Sequence, residues 1–266
     1  MAKPFTPPLQ PAARRARRAD RRRPPPERNR LLGALSGAEY GRVLDESEDV
    51  GLIAGQVLYE PGHAVSHVYF PQDCVVSLVC CPSSDTAVAV AMTGREGVVG
   101  LPLLRGVRST ILRSIVQVPG HARRVRADAL RDLTTPHDRL RGVIARFAQA
   151  LFDQIAFCAA CNVGHSPRER FARWLLMLHD RVEGEELPVT QEFLAHMLGM
   201  SRQTVSGVAR ALQDDGLVDY ARGRMRVAKR AALERVACPC YRCISDRLEE
   251  LLGDLSRVGS RTGEIA

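Results

Sequence analysis

The sequence has no long apolar run. No stretch approaches the roughly 18 uninterrupted apolar residues of a bilayer-spanning helix, and the Arg/Pro-rich start lacks the apolar core of a secretory signal. A cytoplasmic location with no membrane partner is therefore expected. Cysteine is absent from the first 73 residues, and the eight present in 266 lack the spacing of a secreted disulfide scaffold, so reduced thiols are expected. There is no His-Glu-x-x-His pair, no Gly-x-Ser-x-Gly elbow and no phosphate loop ending in Gly-Lys-Ser/Thr. The seven histidines are scattered, and no enzyme activity is expected. Beyond residue 30 neither sign of charge is in excess. The net charge of +8 comes from 38 Lys and Arg against 30 Asp and Glu, and residues 1–30 hold 10 of the former and 2 of the latter. The same thirty residues contain seven of the sixteen prolines and almost no large apolar side chains. They read as a disordered basic tail, either solubilising or a non-specific anchor for nucleic acid. The remainder, in a chain that is 45% hydrophobic and 26% charged, is an ordinary globular composition with length for one or two domains.

From about Gly55 to Arg126 short apolar and β-branched runs alternate with Gly and Pro: Gln56 to Tyr59, His67 to Phe70, Cys74 to Cys80, Thr86 to Met92 and Ile111 to Val118. Strands at this spacing indicate an antiparallel sandwich or barrel. After Thr135 the period becomes helical. Leu140, Ile144, Phe147, Leu151, Gln154, Cys158 and Cys161 follow at alternating intervals of four and three, a heptad-like seam. At 1.5 Å per residue the helix is roughly 40 Å long, enough to pair with a copy of itself. The alternative is that the stripe packs on its own β domain. Ser166-Pro167-Arg168-Glu169 reads as a capping box that opens a separate C-terminal domain.

Residues 190–212 carry the most specific pattern, two short helices around a tight turn. Thr190 caps the first, Gly199 permits the turn and Ser201 caps the second, while Leu194, Leu198, Val205, Val208 and Leu212 form the buried side. The second helix starts with Arg202, Gln203 and Thr204, side chains suited to base edges in a major groove. A hairpin follows, turning at Arg222-Gly223, whose arginines 222, 224 and 226 suit phosphates as a wing would. Residues 201–230 hold seven basic and three acidic side chains, concentrating positive charge in an otherwise neutral fold. Double-stranded DNA is the expected partner. A docking module in which the helix-turn-helix touches protein instead is the alternative.

These segments together resemble the Crp/Fnr family of bacterial transcription regulators over about residues 31–243. The likeness rests on Gly55 to Gly62, His67 to Pro71, Gly94 to Gly100, the long helix, and Gly199 to Leu217. It implies an α+β chain with a jelly-roll-like β-roll over 31–134, a dimerisation helix over 135–165, a winged helix-turn-helix domain over 166–243 and a C-terminal tail over 244–266, in which Leu248, Leu251, Leu252 and Leu255 suit a short amphipathic helix. It further implies a homodimer paired through Leu140, Ile144, Phe147, Leu151 and Cys158 on a near-palindromic operator, with RNA polymerase as protein partner. Carried over, Ser201, Arg202, Gln203 and Thr204 start the recognition helix, with Ser206 and Arg210 further along it. Thr190, Gln191, Arg222 and Arg224 are placed at phosphates. Gln203 stands where the catabolite activator branch has glutamate, and Gly207 where it has a second base-reading arginine, so a different operator is expected. Cyclic-nucleotide binders of the family have a Gly-Glu-Leu turn, whereas this sequence reads Gly100-Leu101-Pro102; neither Arg108 nor Arg113 falls in register for the phosphate. The effector is thus not expected to be cyclic AMP, and its identity, like any cofactor, is unknown. Cys238, Cys240 and Cys243, with Cys158 and Cys161 on the long helix, are candidates for zinc, an iron–sulfur cluster or a redox switch; burial as ordinary apolar residues is the competing reading.

Overall fold

A computed structural model describes residues 27–83, 86–104, 106–134 and 139–253. The basic tail up to residue 26, and Leu255 with the rest of 254–266, lie outside the described residues. Two short helices, α1 (Arg30–Gly33) and α2 (Gly37–Asp45), lead into strands β1 (Ser47–Leu52), β2 (Val57–Tyr59), β3 (His67–Pro71), β4 (Val75–Ser83) and β5 (Thr86–Thr93). A one-turn helix α3 (Leu101–Leu104) precedes β6 (Arg113–Val118), β7 (Gly120–Arg126) and α4 (Ala127–Leu133). The strands form two antiparallel sheets, ordered β1-β7-β3 and β2-β6-β4-β5, which makes the expected roll.

Neither β1 nor β7 shows in the sequence as an apolar run, because cross-strand charge holds them together. Their register sets Glu48 against Arg124 and Asp49 against Arg123. Arg124 reaches Glu48 at 2.7 Å, and the buried Arg123 reaches Glu27 at 3.0 Å and Asp49 at 3.7 Å. Opposite-charge pairs facing across a ladder stabilise it much as apolar pairs do. Glu27 and Asn29 also correct the expected limit of the tail at residue 30. The buried Asn29 caps α1 and donates to Pro71 O and Gly97 O at 3.0 and 2.8 Å, so the folded part begins by residue 27.

The roll is followed by α5 (Arg139–Gly164) and α6 (Pro167–His179), the latter opened by the capping box of Ser166 and Glu169. By length and composition α5 could cross a bilayer, yet ten of its residues are buried against this chain's own roll and C-terminal helix. Among them are Leu140, Ile144, Phe147, Leu151 and Cys158, the residues expected to face a second copy. That expectation is corrected: these five side chains are an internal seam. Phe147 packs so closely that a Cβ on Gly97 would lie 2.1 Å from its ring, and the Gln154 amide clamps Met92, accepting from its N–H at 2.8 Å and donating to its carbonyl at 3.3 Å.

The C-terminal part comprises β8 (Glu186–Pro188), α7 (Gln191–Leu198), α8 (Arg202–Asp214), β9 (Val218–Ala221), β10 (Arg224–Val227), α9 (Arg230–Val236) and α10 (Cys240–Leu252). The amphipathic helix expected within residues 244–266 begins earlier, as α10, which packs along α5 with Leu252 buried and Leu248 and Leu251 partly so. Arg247 pairs with Asp153 of α5 at 2.8 Å. The C-terminal core of Trp174, Leu194, Leu198 and Leu212 is continuous with Val75, Met92 and Ile115 of the roll. One ion pair crosses that junction inside the protein: Glu96 accepts from Arg181 at 2.7 Å, both side chains 6% exposed. Breaking such a pair leaves a buried charge uncompensated. Glu96→Gln is therefore expected to cost about 3–5 kcal/mol in denaturant unfolding, whereas Glu183→Gln, whose pairs with Arg28 and Arg95 are exposed, should cost less than about 1 kcal/mol.

Candidate nucleic-acid interface

The helix-turn-helix is built by three local devices, each at the expected residue. Thr190 accepts from Phe193 N–H at 3.2 Å and starts α7, Gly199 ends it with φ of +59°, and Ser201 accepts from Thr204 N–H at 3.0 Å and starts α8. The left-handed backbone at Gly199 is one a side chain would strain. A Cβ there would also meet Val88 of β5 at 2.9 Å, so the β4-β5 hairpin of the roll abuts the turn between the two helices. Val205, Ala209 and Leu212 bury one side of α8; Arg202, Gln203 and Arg210 are exposed on others. Gln203, Ser206 and Arg210 recur at the three- and four-residue steps of one helical face. The Ser206 hydroxyl donates to Gln191 Oε1 at 2.5 Å, which ties that face to the first turn of α7.

The wing has the expected hairpin, with φ of +50° at Arg222 and +76° at Gly223 in its two-residue turn. Its third strand, β8, pairs with β10 and was not legible in the sequence. It changes the charge reading of the wing. Arg224 lies against Glu186 at 2.7 Å, and Arg226 is held between Asp219 and Glu185. Arg202, Arg210 and Arg222 form no ion pair among the described residues. The wing tip stands beside α7, because a Cβ on Gly223 would be 3.5 Å from the Thr190 methyl. One surface thus brings together Thr190, Gln191, Ser206 and Arg222, with Ser201, Arg202, Gln203 and Thr204 at the exposed start of α8, whose unsatisfied N–H groups add a positive partial charge.

In the roll, a cavity of about 600 Å³ opens between the sheets and α5, lined by Leu78, Val99, Leu101, Leu151, Phe152 and Ile155 among others. No charged side chain lines it among the described residues. Arg113 is buried and paired with Glu60 at 2.9 Å, and Arg108 is exposed and not itself a lining residue. Gly100, at φ of +111°, opens the turn into α3, where Pro102 removes a backbone donor.

The C-terminal cysteines do not group as expected. Cys243, one turn along α10, is exposed and apart, while Cys238 and Cys240 meet Cys161 and His165 from the end of α5. Cys158 is turned away and receives a hydrogen bond from Arg173 at 3.1 Å. The Cys238 thiol, hydrogen-bonded to Cys161, is the main cause that holds the Cys161 thiol below its ordinary value, with help from Arg173 and against the effect of burial. Nothing in the spacing of His165 had marked it.

Residues 169–236 match the Crp-like helix-turn-helix domain. The chain carries a Crp-like helix-turn-helix domain in a Crp/Fnr fold. The chain superposes on FixK2 from Bradyrhizobium japonicum with a TM-score of 0.62 at 15% identity, covering 72% of this chain and 98% of that one. The global regulator CLP of Xanthomonas campestris matches at 0.61 and 18%, over 72% and 99%. A CRP-family regulator from Thermus thermophilus, TTHB099, matches at 0.59 and 20%, over 71% and 96%. No curated protein matches the sequence. The chain thus has the fold of these proteins, with a Crp-like helix-turn-helix match over residues 169–236.

Because Ser201 caps α8 while Arg202 is exposed and forms no hydrogen bond or ion pair among the described residues, the two separate stability from recognition. Ser201→Ala should lower stability by about 0.5–2 kcal/mol in thermal or denaturant unfolding, and Arg202→Ala should leave it within about 0.5 kcal/mol.

Proposed function

We propose that the chain is a cytoplasmic, homodimeric transcriptional regulator that reads a near-palindromic operator with the start of α8, clamps the flanking phosphates with the wing, and works with RNA polymerase. The observation that carries this reading is the capped, exposed start of α8 within the matched domain, flanked by the unpaired Arg202, Arg210 and Arg222. Arg202 and Gln203 supply base contacts, Thr190, Gln191 and Arg222 supply phosphate contacts, and Ser206 positions Gln191. Arg224 is the weaker phosphate ligand because Glu186 already offsets its charge.

Dimer pairing uses a face of α5 different from the internal seam. Ala145, Gln149, Phe152, Ala156, Ala159 and Val163 are all exposed and recur at intervals of four and three, with Phe152 at 65% and Val163 at 92% exposure. Three alanines in the stripe let two such helices approach closely, as an a/d seam requires. Pairing of two copies about a two-fold axis sets two recognition helices roughly 34 Å apart, one turn of duplex. The effector cavity borders Phe152 and Gln149 of this same stripe, so a ligand of apolar character bound there acts on the dimer seam directly. The β4-β5 hairpin against Gly199 provides a second route from roll to turn.

In gel-shift titrations Arg202→Ala should weaken binding to a selected operator by about 1–3 kcal/mol and leave random duplex nearly unchanged. Arg222→Ala should weaken both and lower the salt slope by about one. Equal losses on operator and random DNA for Arg202→Ala overturn the reading.

For the dimer, light scattering should give twice the 29.3 kDa chain mass for the native protein and a folded monomer for Phe152→Asp. A native monomer, or a variant that still dimerises, refutes this seam.

A further inference from the structure

Away from the nucleic-acid face, the end of α5 meets the head of α10. Cys161 and His165 are one helical turn apart, and Cys238 and Cys240 flank Pro239. One ligand atom from each of the four lies within 4.8 Å of the others, and the three cysteines are buried. Cys161 Sγ stands 3.4 Å from Cys238 Sγ, and Cys240 Sγ stands 3.7 Å from His165 Nδ1. Tetrahedral zinc, with bonds of about 2.3 Å to sulfur and about 2.0 Å to nitrogen, separates its ligand atoms by roughly 3.5–3.8 Å. A cubane iron–sulfur cluster would hold its cysteine sulfurs wider apart than this group allows. We propose that Cys161, His165, Cys238 and Cys240 form a four-ligand tetrahedral site for one thiophilic divalent cation, zinc in the first instance.

A second observation points the same way. Arg173 of α6 is 4% exposed, yet among the described residues its guanidinium pairs with no carboxylate: it donates to Cys158 Sγ at 3.1 Å and Met177 Sδ at 3.2 Å, and its Nε has no partner there. Burial disfavours its charge, and the sulfurs of Cys158, Cys161 and Cys238 act against that effect. A buried cation with no counter-charge is costly. One zinc ion with three thiolates and a neutral imidazole carries a net charge of −1, which supplies that counter-charge. A Cys161–Cys238 disulfide would supply none and would leave Cys240 and His165 without a role.

Position defines what the site does. Cys161 and Cys238 are 77 residues apart, and the chain between them includes α6, the helix-turn-helix, the wing and α9. A bound ion therefore clips the base of the whole winged domain to the dimer helix, closing a long loop whose entropy the unfolded chain would otherwise keep.

Elemental analysis of the full-length protein, purified with reductant, should give one zinc per chain. Chelator-stripped protein given Co²⁺ should develop the intense visible bands of a tetrahedral centre with sulfur-to-cobalt charge transfer. Cys240→Ser and His165→Ala should each lower zinc affinity at least about tenfold in competition with a chelator, while Cys243→Ser, whose thiol is exposed, should keep the native affinity and spectrum. If a ligand variant fails to fold, the native protein still decides: stripping zinc should lower its melting temperature and re-adding zinc should restore it. Substoichiometric zinc together with a pale octahedral cobalt spectrum overturns the proposal, as does a Cys161–Cys238 disulfide in the reductant-purified protein or an equal loss for Cys243→Ser. None of these readouts involves DNA, so they stand apart from the proposed operator binding.

Discussion

Burial of one face of α5 within its own chain constrains where every other part can sit. Phe147, Leu151 and Ile144 close the roll from outside, Gln154 fastens the helix to β5, and α10 covers the flank that the roll leaves open. Each large apolar side chain removed from water in this way contributes roughly 1.5–3 kcal/mol, so the seam together outweighs any single polar contact in the molecule. Because one face is spent on the chain's own core, any partner helix must use what remains, and what remains is a second stripe offset around the helix from the first.

The same helix makes the two domains mechanically continuous. At one end the roll's β4-β5 hairpin presses on the turn at Gly199, and the buried pair of Glu96 and Arg181 joins the roll to the end of α6. At the other end the cysteine and histidine group holds the last turn of α5 against the head of α10. Arg230, partly exposed, completes the attachment by donating to both Asp180 and Tyr241, and so joins α9, the end of α6 and α10. Movement of the winged domain relative to α5 must strain one of these junctions. The cavity beside Phe152 lies against the same helix, so the proposed ligand site and the proposed pairing surface share one element.

Local chemistry explains why so much of the interface was legible. Caps, a left-handed glycine and a two-residue hairpin turn act within four residues of chain, so Thr190, Gly199, Ser201 and Arg222-Gly223 announced the helix-turn-helix and wing without help from anything distant. The five apolar strands were legible for a similar reason, as each is a short β-branched run. The strands β1 and β7 were not, since glutamate, aspartate and arginine make a ladder only once they face each other across it. Short β8 is polar at both ends and owes its place to β10. Its Glu186 is what takes Arg224 partly out of play, a fact that no reading of the wing alone contains.

Composition, periodicity and local caps by themselves determined a β-roll, a long helix and a basic winged helix-turn-helix, in that order. Tertiary structure alone decided which stripe of α5 faces inward. Two apolar stripes on one helix look alike in sequence, and only the volume to be filled beneath the roll picks one, which is why the seam of Leu140 and Phe147 proved internal. Tertiary structure also decided the company of the cysteines. Cys240 and Cys243 are near in sequence but diverge on α10, while His165 is 75 residues from Cys240 and lies beside it. Ligand groups assembled from separate helices leave no trace in spacing, because the distance between them is set by how the helices pack.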